Sequence, residues 1–319
     1  MIIPTLRCDE NLFRKDLEGK YYIVTGANSG VGLETTRQLV KQGAHVIMAC
    51  RRIESAKEVA KSFAAERGTV SFEKLDLSDL ESVRAFAENI KSKHKKIDGL
   101  VNNAGMVTSG KVPKRTKQGF EMMFAVNHLG HFLLTESLLD IINETQGSRI
   151  VILSSIGHAG SDKKRPEIHF EDLNYDKRVF NRTDAYCESK LANLLYAKEL
   201  AERVKNKKTT VVSVHPGWAK SNLAGKGFTA FVQNVLLTPV APLLTIMSNE
   251  DAAQTSLHCL LDDDVPKFSG EYFSQNSLLY SDKECRRGGW PMKSPNPNAH
   301  DMKSALRLTK VSKKMVGLK

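Results

Sequence analysis

YYIVTGANSGVGLETTRQLVKQGAHVIMACRR, residues 21–52, decides the fold. Tyr21 to Thr25 is a short aromatic and β-branched run of strand type. Gly26, Gly30 and Gly32 follow at once, and the periodic run from Val31 to Val40 is helical. His45 to Ala49 reads as the next strand. Glycines at such a strand–helix turn let the backbone approach a pyrophosphate, which sits on the positive end of the helix. A unit that binds NAD usually carries an acid about 20 residues past the glycines, to hold the ribose 2′-hydroxyl. Cys50 stands there instead, followed by Arg51 and Arg52. A cation at that place suits a 2′-phosphate, so the expected cofactor is NADP(H).

The rest of the chain continues the alternation of strand and helix, which implies a parallel sheet covered on both faces. The pattern predicts a helix near 54–66, a strand at 69–75 ending at Asp76, and a helix near 79–93. The strand IDGLV at 97–101 closes on NNAG. A long helical run over about 117–144 precedes the strand RIVILSS at 149–155. Residues 156–183 read as a long polar loop. An amphipathic helix covers about 184–206, and VVSVHPG at 211–217 is another strand. A helix near 250–261 and a last short strand, GEYFS, close the domain. The expectation is a single α/β domain, a Rossmann-type doubly wound parallel sheet, at 18–280. Residues 1–17 form an N-terminal extension. A basic tail at 281–319 turns polar, then helical from Asp301.

Composition is that of an ordinary soluble protein. The chain has 47 Lys and Arg against 36 Asp and Glu, a net charge of +11. The basic residues fall in small clusters, at 91–96, 111–117, 162–165 and 205–208, which read as solvated helix ends and loops. No recognition motif or aromatic platform accompanies them, so nucleic acid is not an expected partner. The tail carries ten Lys and Arg over 283–319, against Glu284 and Asp301. It could touch an anionic membrane surface. The five cysteines, at 8, 50, 187, 259 and 285, are odd in number and lack metal-ligand spacing. They read as reduced thiols, and no metal is expected. No signal peptide or spanning helix is legible. The most apolar stretch, 227–247, is broken by Pro239 and Pro242. The expected location is the cytoplasm or the cytosolic face of a membrane.

Ligands of open parallel sheets lie beyond the carboxyl ends of the strands. Gly26, Arg51, Asp76, Asn102 to Gly105, Ser154 with Ser155, and Pro216 with Gly217 all fall at strand ends and would line one crevice. Asp76 could accept from an adenine amino group or simply cap a helix. Tyr186 and Lys190 are four apart on one helix, so they share a face. An ammonium beside a phenol favours the phenolate and lowers its pKa, which fits the phenol to exchange a proton with an alcohol or carbonyl at neutral pH. Ser155 could donate to a carbonyl oxygen on which negative charge develops.

TGANSGVG, NNAG, Asn127, Ser155, Tyr186-Cys-Glu-Ser-Lys190 and HPG, in that order, resemble the short-chain dehydrogenase/reductase family over about residues 18–275. The resemblance implies Tyr186 as general acid/base and Ser155 as the group that orients the substrate carbonyl. Lys190 would bind the nicotinamide ribose and lower the Tyr186 pKa, and Asn127 would hold a water in the proton relay. The cofactor would lie against Gly26, Asn28, Ser29, Gly30, Val31, Gly32, Arg51, Asp76, Leu77, Asn103, Ala104, Gly105, Tyr186, Lys190, Pro216, Gly217 and Ser221. AYCESKLANLLYAKELAERV, SVHPGW and AAQTSLHCLL are similar to the NADP-dependent retinol dehydrogenase subgroup and to the catalytic domain of the WW-domain-containing oxidoreductase. WW domains and an N-terminal anchor are not seen, and the tail from 281 matches neither.

The resulting expectation is reversible hydride transfer between NADP(H) and a carbonyl/alcohol pair. A proline-interrupted segment at about 218–249 would cover an apolar substrate such as a retinoid, steroid or long-chain aldehyde. A homodimer is also expected. Two alternatives stay open: a catalytically weak NADP(H)-binding regulatory protein, and a relative of the same fold that modifies nucleotide sugars.

Overall fold

The computed structural model describes residues 4–219, 246–277, 280 and 282–319. Eight strands form one sheet: β1 (Tyr21–Thr25), β2 (His45–Cys50), β3 (Thr69–Lys74), β4 (Gly99–Asn102), β5 (Arg149–Leu153), β6 (Thr210–His215), β9 (Tyr272–Ser274) and β10 (Gly289–Met292). A separate pair, β7 (Trp218–Ala219) and β8 (Ile246–Met247), lies parallel beside it. The order across the sheet is β10-β9-β6-β5-β4-β1-β2-β3, and every pair but β10–β9 is parallel. This is the doubly wound sheet expected. The order reverses between β1 and β4, so the crevice beyond those two strand ends is the place where such a sheet takes its ligand.

Alternating side chains sort into two cores, as a sheet covered on both faces requires. On one face Ile23, Leu100, Ile150, Ile152 and Val211 pack with residues of α3 (Leu80–Lys93), α5 (Gly130–Glu144) and α6 (Arg182–Arg203). On the other, Val24, Val101, Val151, Leu153 and Val212 meet α1 (Gly30–Lys41), α2 (Ile53–Ala60) and α7 (Asn249–Leu261).

Helix boundaries depart from the sequence pattern where tertiary contacts intervene. The run predicted from 117 becomes helical only at Met122, because Thr116 to Phe120 closes a turn with Gly119 at φ +85°. A three-residue helix, α4 (Met122–Phe124), is followed by a π turn over Ala125–Leu129 before α5 begins. α2 stops at Ala60 and tightens into a 3₁₀ turn over Lys61–Phe63. α6 starts at Arg182, where Asn181 caps it by accepting from the Thr183 and Asp184 amides.

GEYFS is not the last strand. The polar stretch that follows contributes a short helix, α8 (Lys283–Arg286), and then β10, which pairs antiparallel with β9. The helix expected from Asp301 is α9 (Met302–Met315), capped by Asp301 and packed along α6. The N-terminal residues are tied down too. Cys8 N donates to Gln254 Oε1 at 3.0 Å, and Leu6 N to Gln275 Oε1 at 2.9 Å. Among the described residues no helix is long and apolar enough to cross a membrane. Ser221 and most of the expected substrate cover at 218–249 lie outside the described residues.

Candidate active site

The glycine turn is built as its residues dictate. Gly26 and Gly30 adopt φ +66° and +59°, a region L side chains rarely enter. Gly32 is needed for space instead: a Cβ there would lie 2.4 Å from Asn103 Nδ2 and 2.7 Å from Gly26 O. The β1–α1 turn and the NNAG turn are therefore in contact, backbone to side chain. Ser29 precedes α1 in extended conformation and makes no side-chain cap bond, so its hydroxyl does not compete for the first amides of the helix. Asn28 Nδ2 donates to Ser55 Oγ at 3.1 Å, and Val31 is half-buried.

The NNAG turn hangs on Thr25. Its Oγ1 accepts from the Asn103 and Ala104 amides, each at 2.9 Å, while Asn103 Nδ2 donates to Thr25 O at 2.7 Å. His131 Nε2 lies 2.9 Å from the same hydroxyl, and His131 Nδ1 lies 3.2 Å from Asn127 O. A carbonyl can only accept, so Nδ1 carries the hydrogen and the Thr25 hydroxyl donates to Nε2. Full burial pushes the His131 pKa down to about 3, which keeps the ring in that neutral form.

Cys50 is buried at the end of β2, and burial pushes its thiol up to about 11. Arg51 and Arg52 are exposed just beyond it, and their guanidinium groups have no ion pair or hydrogen bond among the described residues. Asp76 does not cap α3; Asp79 does, accepting from the Glu81 amide at 3.2 Å. Asp76 instead accepts from Ser78 N and Oγ in an Asx turn, with its amide bonded to Ser82 Oγ. Leu77 beside it is buried, and its carbonyl runs so close to Gly130 that a Cβ there would meet it at 2.5 Å.

Ser154 and Ser155 divide the work at the end of β5. Ser154 is buried and donates to Lys190 O at 2.7 Å, fastening α6 to the strand. Ser155 Oγ accepts from Gly157 N at 3.2 Å and lies beside the Tyr186 phenol, where it favours the phenolate. Its side chain thus faces the phenol rather than the core. Gly157 leaves room for this, since a Cβ there would stand 3.1 Å from Cys187 Sγ and 3.4 Å from the Tyr186 ring.

Lys190 is buried one turn further along α6. Its Nζ donates to Leu153 O at 3.2 Å and lies 5.8 Å from the centre of the Tyr186 ring. Burial alone lowers its pKa to about 8. The expected depression of the Tyr186 pKa is not found. Burial raises the phenol, with Ser155 working against it, and Lys190 contributes nothing resolved. The ammonium is turned toward Leu153 O, and the protein around the phenol penalises its charged form.

Asn127 sits in the π turn. Its Oδ1 accepts from Met106 N at 2.8 Å, and its Nδ2 donates to Met106 O at 3.1 Å and to Ser189 Oγ at 3.0 Å. Its own carbonyl accepts from Asn193 Nδ2 at 3.0 Å. A π turn shifts the register of a helix and often marks a functional site. Pro216 and Gly217 follow β6; Gly217 has φ +92°, and a Cβ there would lie 2.5 Å from Met247 Sδ.

The structure thus brings the glycine turn, NNAG, Asn127, Ser155, Tyr186 and Lys190 to one crevice at the reversal of strand order. Reading the sequence missed Thr25, His128, His131, His158, Ser189 and Asn193. The one available signal was the pair His128 and His131, three apart in an otherwise apolar helical run.

Comparison with known proteins identifies the family. The model of the short chain dehydrogenase family matches residues 20–164. Retinol dehydrogenase 12 of Bos taurus is 39% identical over 315 residues, covering 98% of this chain and 90% of that protein. Human retinol dehydrogenase 13 is 38% identical over 95% of this chain and 86% of its own length. Human retinol dehydrogenase 11 is 40% identical, over 85% and 81%. A crystal structure of an uncharacterized protein from Mycobacterium Paratuberculosis superimposes with a TM-score of 0.74, at 30% identity and 96% coverage of both chains. The chain belongs to the short-chain dehydrogenase family, in its retinol dehydrogenase subgroup. It is an oxidoreductase of CH–OH and C=O groups, it uses a nicotinamide cofactor, and its substrate is a small molecule.

The residues present fit that cofactor. Two glycines are left-handed where the backbone must turn, and the Lys190 ammonium donates only one hydrogen bond among the described residues.

Proposed function

We propose that the chain interconverts an apolar aldehyde or ketone and its alcohol with NADP(H), using Tyr186 to exchange the proton. The observation that carries this reading is the contact of Ser155 with the Tyr186 phenol, with Lys190 one turn away, at the strand-order reversal. When bound, the cofactor supplies or takes the hydride. Ser155 donates to the substrate oxygen and holds it within reach of the phenol. In reduction the phenolic O–H bond breaks and its proton goes to the substrate oxygen. In oxidation the same proton returns. The raised pKa of Tyr186 keeps the phenol protonated at neutral pH, which readies it to donate. Lys190 offers its remaining N–H groups to the ribose, and Asn127, through its link to Met106, steadies the loop after NNAG.

Arg51 supports NADP(H) over NAD(H). It is exposed, it stands where the NAD-selecting acid would be, and no carboxylate among the described residues claims it. The apolar substrate class is supported by the relatives, which are retinol dehydrogenases. The test is a pair of titrations with NADPH and NADH on wild type and Arg51→Ala, followed by turnover of retinal, a series of alkyl aldehydes, a small polar ketone and a sugar. NADPH is expected to bind at least about tenfold tighter, a difference of about 1.4 kcal/mol that one charge-assisted contact can supply. Arg51→Ala should lose that margin and leave NADH binding unchanged. Turnover should rise with chain length, since each buried methylene gains about 0.8 kcal/mol. Equal use of both nucleotides, or a best substrate among the polar controls, overturns the corresponding half of the reading.

A further inference from the structure

Two buried histidines connect the catalytic crevice to the C-terminal segment. His128, in the π turn, has Nε2 2.9 Å from Ser312 Oγ on α9 and Nδ1 3.2 Å from Asn193 Oδ1 on α6. The direction of these bonds follows from Asn193. Its Nδ2 lies 3.0 Å from Asn127 O and 2.9 Å from Leu153 O, and two carbonyls can be faced only by the amide NH₂. Oδ1 therefore accepts, His128 Nδ1 carries the hydrogen, and the Ser312 hydroxyl donates to Nε2. The chain of bonds runs Ser312, His128, Asn193, then Leu153 O, and that last carbonyl also accepts from Lys190 Nζ.

His158 repeats the pattern. Its Nδ1 lies 2.6 Å from Ser155 O, and its Nε2 lies 2.7 Å from Ser294 Oγ. Asn296 Nδ2, from the same segment, donates to His158 O at 2.7 Å and to Pro166 O at 2.9 Å. Ser294, Asn296, Ser312 and both rings are buried, so water cannot replace a missing partner. Burial holds each ring neutral, with a pKa of about 4, as the single-hydrogen pattern requires.

We propose that the C-terminal segment positions the catalytic groups, Ser312 acting through His128 and Asn193 on the carbonyls beside Lys190 and Asn127, and Ser294 acting through His158 on the backbone of Ser155. This rests on the roles given above to Ser155, Tyr186 and Lys190. Ser312, His128, Asn193, Ser294 and His158 are positioning residues. Without the Ser312 hydroxyl, Nε2 is a buried acceptor with nothing to accept. The ring is then free to change tautomer, and Asn193 loses the donor that distinguishes its oxygen from its nitrogen.

A purely structural role would mean only that these bonds hold α9 on α6. Thr309 separates the two cases. It is buried on the same helix, and its hydroxyl donates to Glu199 Oε2 at 3.0 Å, a bond that does not lead to the crevice. Ser312→Ala, His128→Leu, His128→Asn and Thr309→Val are to be made in the full chain. The readouts are NADPH and NADH affinity, kcat with one long-chain aldehyde, and the thermal midpoint. Ser312→Ala and His128→Leu should lower kcat by about tenfold, the scale on which small misplacements of reacting groups act. They should also weaken nucleotide binding. His128→Asn keeps an N–H near the place of Nδ1 and should recover most of both. Thr309→Val should lower the thermal midpoint as Ser312→Ala does, yet leave affinity and kcat near wild type. Matching behaviour of Ser312→Ala and Thr309→Val in both readouts overturns the proposal. Tyr186→Phe, run alongside, keeps the two readings apart. If it is inactive while Ser312→Ala is normal, the positioning role falls and the reaction stands. If the wild type turns over no carbonyl or alcohol, the reaction falls, and nucleotide affinity alone decides the positioning role.

Discussion

Lys190 Nζ donates to Leu153 O across 3.2 Å, and that carbonyl is its only hydrogen-bond partner among the described residues. One donor is used on the protein, and the others remain for a ligand. The lysine is buried, so its ammonium is held less tightly than usual, at about 8 against an ordinary 10.5. A group in this state loses its charge as pH rises through about 8. Nucleotide affinity should therefore be full below that value and decline above it. The measurement is a series of NADPH titrations from pH 6.5 to 9.5 on wild type and Lys190→Met. The variant should bind more weakly at every pH and show no break near 8. A break that survives in Lys190→Met assigns it to another group.

Tyr186 and Ser155 lead to a second expectation. Ser155 is the one resolved influence that favours the phenolate against burial. Tyr186→Phe should fold, bind nucleotide and lose about 10²-fold or more in turnover, the usual scale of general acid–base catalysis. Ser155→Ala removes the lowering influence, so the phenol should titrate higher still. In the oxidative direction, where Tyr186 must accept a proton, the alkaline rise of kcat/KM should move to higher pH. Turnover of Tyr186→Phe within a few-fold of wild type, or an unmoved profile in Ser155→Ala, refutes these roles.

The turn glycines and the Tyr186–Lys190 spacing were legible because their meaning is local. A left-handed turn or one helix face is set within a few residues. The buried histidines were not legible, because their partners are remote in sequence: His128 meets Ser312 184 residues away, and His158 meets Ser294 136 away. A histidine in an apolar run announces burial but not its partner. The edge strand β10 was missed for the same reason. Its sequence, GWPM, lacks strand periodicity, and it is defined by its pairing with β9. Of the two roles open to Asp76 in the sequence, an adenine contact or a helix cap, the cap goes to Asp79 three residues on, and Asp76 forms an Asx turn with Ser78.

Gly32 offers a test of the contact between the two turns. A Cβ there meets Asn103 Nδ2 at 2.4 Å and Gly26 O at 2.7 Å, and neither is the free end of a flexible chain. Asn103 is held by Thr25 O. Gly32→Ala must therefore push α1 away from the NNAG turn. The expected cost is about 1–3 kcal/mol of stability, typical of overpacking, together with a marked loss of nucleotide affinity. Chemical denaturation and nucleotide titration measure the two. Gly110→Ala, where a Cβ would meet nothing within 4 Å but φ is +105°, serves as the control that should lose stability through backbone strain yet keep nucleotide affinity. Wild-type affinity in Gly32→Ala would show that the two turns do not act together.

Acid should unfold this protein earlier than its carboxylates alone would require. Burial lowers His131 and His215 to about 3, and His128 and His158 to about 4. In the unfolded chain each titrates near 6.5, so between about 6.5 and 4 the unfolded state binds protons that the folded state refuses. The sign is fixed: stability is full above about 6.5 and falls as pH drops. Each histidine contributes a slope of up to about 1.4 kcal/mol per pH unit. Lys190 works in a different window, adding stability as pH rises from about 8 toward 10.5. Thermal midpoints and denaturant midpoints at half-unit steps from pH 7.5 to 4.5 should fall with a steepening slope. Proton uptake on unfolding at pH 5.5, from calorimetry in two buffers of different ionisation heat, should reach at least about three from these four rings, with more from His45, His94 and His258, whose pKa values burial also lowers. An uptake near zero at that pH, or a flat midpoint between pH 7 and 5, would mean that these rings are solvated and charged in the folded protein, and the single-hydrogen pattern assigned to His128, His131 and His158 would fall with it.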